Sequence, residues 1–115
     1  MTRHNIDPDQ LRLTDIMIAI ADVESIGLHE ASERKDMLAC AYAIAIIGEA
    51  SNQLSKELRE ANKHIPWREI IDMRHRIIHG YGSLNKERLL AVVREDIPVL
   101  KPQIKAILSQ LENHA

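Results

Sequence analysis

Apolar positions along this chain recur at helical rather than strand spacing. Leu11, Ile16, Ile18, Ile20 and Val23 follow Asp7-Pro8, a pair suited to an N-cap and a first helical position, and Gly27 offers a stop. A second helix is predicted from Ser32 as N-cap, through the apolar run Met37–Ile47, to an end near Ala61 or Asn62. Pro66 opens a third, which runs to about His79 and breaks at Gly80-Tyr81-Gly82. Asn85 caps a fourth with Leu89, Leu90, Val92 and Val93 on its apolar face, and Pro98 and Pro102 interrupt or re-cap it. Ile104, Ile107, Leu108 and Leu111 mark a last helical stretch from Gln103 to Leu111. No strand-like alternation, repeat or linker is visible. The expectation is an all-α, four- to five-helix up-and-down bundle, one domain over residues 1–115.

The second helix is apolar around most of its circumference, so it must be covered on more than one side. Either it is the central core helix of one monomer, or a second copy of the chain supplies the extra cover. Ala39, Ala41, Ala43, Ala45 and Gly48 would let a partner helix approach closely.

Composition agrees with helices: hydrophobic residues are 45% and aromatics only 3%. The single Cys40 excludes an intramolecular disulfide and an all-cysteine zinc site; in its apolar run it reads as inert core. Met37–Ile47 is about half of what a membrane span needs, and residues 1–5 lead into no apolar signal core. A soluble, cytoplasmic protein with no membrane partner is expected. The net charge of −2 gives no global basic field, but residues 59–88 hold seven Lys/Arg against four Asp/Glu. That local basic zone fits either an ordinary solvated surface or a phosphate-containing ligand.

The third helix carries the candidate chemistry. Ile70, Ile71, Met73, Ile77 and Ile78 form one stripe, and Arg74 is predicted near its centre. An Arg there needs a partner or a cleft. One explanation is a buried salt bridge, with Glu49 as candidate; the other is a functional Arg ready to hold a phosphate bidentately. His79 lies about 140° from Arg74 on a regular helix. To cooperate, the helix end must distort near Gly80, or two copies must share a cleft. His75 and His79 also have the i, i+4 spacing of zinc ligands, though no third ligand is evident nearby. His4, His29, His64 and His114 read as surface residues. Phosphate loops, G-x-S-x-G, Cys-x-x-Cys and calcium-loop patterns are absent.

Arg74-His75-Arg76-Ile77-Ile78-His79-Gly80-Tyr81 matches R-x-x-x-x-H-x-Y and resembles the motif of the HepT toxins of the HEPN superfamily. Ile46-Ile47-Gly48-Glu49-Ala50 is similar to that family's IGEA segment. Ile65-Pro66-Trp67-Arg68-Glu69-Ile70 resembles its IPW-x-x-I lead, and Val93–Leu100 its closing DLP-x-L helix. The resemblance runs roughly from Asp36 to Leu108. It implies an all-α homodimer whose motif copies face each other across a two-fold axis. It also implies a metal-independent ribonuclease toxin, with no cofactor, of a type VII toxin–antitoxin pair. The implied partner is an MntA-like minimal nucleotidyltransferase that transfers AMP onto the motif tyrosine. Arg74 and His79 are then catalytic, Tyr81 is the AMP acceptor, and His75 and Arg76 are candidates for substrate contact. Tyr81 otherwise simply packs at the helix end.

Elementary chemistry fits the same residues. Cleavage of RNA by its own 2′-OH needs a base, an acid and a cation for the phosphorane. His79 supplies an imidazole, the side chain suited to take or give a proton in such a step, and Arg74 can neutralise the developing charge. A different class of function also fits: a non-catalytic helical partner that regulates a nucleotidyltransferase.

Overall fold

Helix α1, Pro8–Ile26, opens as its sequence dictates in this computed structural model, which describes residues 6–80 and 83–113. The Asp7 carboxylate accepts from the Asp9 N–H, Pro8 occupies the first turn, and Gly27 closes the helix at φ 60. A left-handed residue costs glycine nothing extra. Leu13, Ile16, Ala19, Ile20 and Val23 form the buried stripe.

Helix α2, Arg34–Asn52, packs along α1 over its most extensive contact. It starts after Glu33, not Ser32, because the Ser32 Oγ is taken by the His29 N–H at 2.9 Å. It also ends earlier than expected. Ser55 caps a separate helix α3, Lys56–Ala61, accepting from the Leu58 N–H. The Ser55 backbone N–H and hydroxyl both donate to the Asp9 carboxylate, at 2.8 and 2.6 Å. That pair of bonds holds the chain out of helical register between α2 and α3.

The predicted third helix is two short ones, α4 (Trp67–Ile71) and α5 (Met73–Ile77). Asp72, at φ −91 and ψ 2, sits between them and shifts the helical phase. Trp67 braces this corner: its indole N–H lies within donating distance of the Arg59 and Asn62 carbonyls. After α5 the backbone extends into β1 (Ile78–His79), paired antiparallel with β2 (Ser83–Leu84). The hydrophobic pattern does not predict this small hairpin, whose residues are too few to produce readable alternation.

Asn85 caps α6, Lys86–Ala91, by accepting from the Arg88 N–H, as predicted. The prolines do not interrupt the helical chain beyond it. A π-helical turn, Val92–Asp96, leads without a break into α7, Ile97–Asn113, with Pro102 inside it. Pro98 would press on the carbonyl four residues back; the widened turn just before it gives room. The bundle is all-α apart from the hairpin.

Helix α2 is the central core element, with α1, α4, α5 and α6 packed on it. Its Ile44 and Ile47 are fully buried. Gly48 lies against the α4 backbone, where a β-carbon would come 2.9 Å from the Ile71 carbonyl oxygen and 3.2 Å from that of Ile70. One strip of α2 nevertheless stays uncovered: Leu38 and Ala39 are exposed, and Tyr42 is 71% exposed.

Candidate functional site

Beside that strip lies an open cleft of about 530 Å³, walled by Tyr42, Glu49 and Asn52 of α2 and by Ile71, Arg74 and His75 of α4–α5. Arg74 does not sit at the centre of the apolar stripe. The phase break at Asp72 buries Ile70, Met73 and Ile77 and turns Arg74 out to solvent. Among the described residues Arg74 makes no ion pair, and Glu49, its expected partner, is itself exposed on the same cleft. The buried salt bridge is therefore replaced by an accessible guanidinium. His75 is exposed next to it.

His79 is not on the motif helix. The Ile78 N–H donates to the Arg74 carbonyl and ends α5, and Ile78 turns extended at φ −117 and ψ 124. His79 follows on β1, opposite Ser83, and is exposed. The helix end is thus distorted, though at Ile78 rather than at Gly80, and His79 does not line the cleft that holds Arg74. The same change removes the i, i+4 helical relation between His75 and His79. The Asn85 N–H clips the hairpin back by donating to the Ile77 carbonyl at 2.8 Å. The buried Ile77 side chain anchors it from below. Gly80 continues the chain at φ 57, a left-handed conformation suited to glycine. Tyr81, the expected modification site, lies outside the described residues, as do His4 and His114. His29 and His64 are exposed, as expected.

Arg76 faces elsewhere. Its guanidinium lies 3.4 Å from the Asp96 carboxylate and ties α5 to the π-helical turn. Among the described residues no group of three or more His, Cys, Asp or Glu is placed to hold a metal ion. None of their helices is long and apolar enough to cross a membrane. Sequence reasoning missed Tyr42 and Asn52 as cleft walls. The signal available was their helical spacing from Glu49: Asn52 stands one turn after it and Tyr42 two turns before it.

Residues 15–107 match the family model described as Ribonuclease HepT-like. A relative in Caldanaerobacter subterraneus, named "Putative RNase TTE0752", is 40% identical over 68 residues, covering 59% of this chain and 61% of its own length. A relative in Thermococcus cleftensis, named "Probable ribonuclease HepT", is 36% identical over 75 residues, covering 65% of this chain and 68% of its own. The chain thus spans about three fifths to two thirds of these curated relatives. No solved structure matches it.

Proposed function

The chain belongs to the HepT-like ribonuclease family, and from that premise we propose that it is an endoribonuclease toxin working without a metal ion. The observation that carries this reading is the exposure of the motif. Among the described residues Arg74 and His75 stand unpaired on a cleft, and the hairpin lifts His79 off the helix. A cation free of carboxylate partners is what a phosphate ligand requires.

Two copies meet through the uncovered strip of α2, around Leu38 and Tyr42, and bring two motif sets to one seam. One His79 takes the proton from the 2′-OH as that oxygen attacks phosphorus. A second protonated imidazole gives its proton to the departing 5′-oxygen. Arg74 holds the non-bridging oxygens while negative charge builds on them. His75 contacts the substrate beside Arg74, and Arg76 steadies α5 through Asp96. The products are a 2′,3′-cyclic phosphate and a 5′-hydroxyl. Silencing comes from an MntA-like nucleotidyltransferase that transfers AMP from ATP to the Tyr81 hydroxyl, with the α-phosphorus–oxygen bond of ATP broken and pyrophosphate and the phenolic proton released. The added phosphate then competes with RNA for the motif's positive groups.

The deciding experiment is cleavage of RNA by the purified protein in EDTA. Arg74→Ala and His79→Ala, checked by circular dichroism to be folded, are expected to lower the rate by about 10²–10⁴-fold. Expression alone should arrest growth. Co-expression with the nucleotidyltransferase should add AMP mass that Tyr81→Phe abolishes. No arrest and no RNA loss would instead favour a non-catalytic partner of that enzyme.

A further inference from the structure

A second groove, of about 300 Å³, runs between α3 and α4 and contains Arg59, Trp67, Arg68 and Asp72. Asn52 and Ile71 belong to its wall and to that of the motif cleft. The two openings therefore adjoin across Asn52 and Ile71, with Arg74 and His75 lining one and Arg59 and Arg68 the other.

This second groove carries two arginines, Arg59 and Arg68, against one carboxylate, Asp72. The Arg59 Nε is buried and has no hydrogen-bond partner among the described residues. Neither Arg59 nor Arg68 forms a side-chain hydrogen bond or ion pair with them, although Asp72 lies on the same groove. Elsewhere Arg76 and Arg94 do find carboxylates. The frame around these groups is firm, since the Trp67 indole N–H is held by the Arg59 and Asn62 carbonyls. Trp67 is only 8% exposed, so its ring is not offered to a nucleobase. The groove presents cations without a stacking platform, which suits a backbone phosphate rather than a base.

We propose that Arg59 and Arg68 form a phosphate subsite that holds single-stranded RNA at a linkage away from the scissile one. This rests on the ribonuclease reading above. The subsite gives affinity without sequence preference, and it makes long substrates bind better than short ones.

The test uses the full chain and a non-cleavable 2′-O-methyl dodecanucleotide, with binding followed across a salt series. Arg59→Ala/Arg68→Ala is expected to weaken binding at least tenfold at low salt. The slope of log K against log salt should shrink by about 0.7 for each lost contact. Cleavage of a ribodinucleotide should be unchanged. The exposed Arg68→Ala alone should show part of the effect, which guards against misfolding of the double variant. Lys35→Ala/Lys105→Ala removes equal charge elsewhere and should leave the slope alone. An unchanged slope in the arginine variants, or an equal change in the lysine control, overturns the subsite while leaving the nuclease reading intact. A slope that depends on these arginines in a protein that cleaves nothing supports the subsite and removes the catalytic reading. A wild type that does not bind the dodecanucleotide removes the subsite.

Discussion

Gly48 and the Ile71 carbonyl are in backbone contact: a β-carbon on the glycine would stand 2.9 Å from that oxygen. This close approach lets α2 and α4 meet, and both Gly48 and Ile71 wall the motif cleft. Gly48→Ala adds helix propensity of about 1 kcal/mol, but the neighbour it meets is backbone and cannot swing away. Overpacking of this kind costs about 1–3 kcal/mol. The expected outcome is a lower midpoint in denaturant unfolding. A midpoint equal to or above wild type would show that the helices part without cost.

The Asp9–Ser55 pair joins the start of α1 to the cap of α3 through two hydrogen bonds. Losing the Ser55 cap should cost about 0.5–2 kcal/mol. Asp9→Ala should cost a comparable amount, since its carboxylate accepts both bonds. Because the groups touch, the two losses should not add. A double-mutant cycle should give a coupling of at least about 0.5 kcal/mol, and additivity would contradict the contact.

Tyr42, 71% exposed on α2, borders the cleft. Placing a carboxylate there by Tyr42→Glu should change stability by no more than about 0.5 kcal/mol, as at other open surface positions. It should nevertheless split the proposed dimer, because the charge would be buried against its symmetry mate. Sedimentation at several concentrations reads the mass, and RNA cleavage should fall with it. A dimer that survives the change would move the interface to another face.

Cys40 is fully buried, and burial, aided by the Asp36 carboxylate, raises its thiol above the ordinary range. A raised acid favours its protonated form in the folded state. Its contribution to stability is therefore present below the ordinary thiol range and is lost as pH rises through the folded value. Iodoacetamide should label native protein slowly at neutral pH and unfolded protein fast. Unfolding free energy should decline on the alkaline side. Rapid labelling of native protein would place the thiol at the surface.

The site was only partly legible in the residues themselves. The motif Arg74–His79 could be found by its pattern, but the direction of each side chain could not. A phase argument assumes one unbroken helix, and Asp72 breaks it, so Arg74 faces solvent instead of the apolar stripe. The extended turn at Ile78 likewise separates His79 from His75. Arg59 and Arg68 belong to different elements, α3 and α4, and no spacing rule connects them.

Helical character, the apolar faces and the locally determined ends were set by the chain alone. Asp7-Pro8, Gly27 and Asn85 act through neighbours within a turn, so each ends or begins a helix wherever the rest of the molecule lies. The remaining boundaries were decided by tertiary contact. Asp9 reaches Ser55 and divides the predicted second helix, and the hairpin forms only because Ser83 and Leu84 return beside His79 and Ile78. Short-range hydrogen bonds are encoded in adjacent residues; an accessible cation on a cleft exists only once distant segments have packed around it.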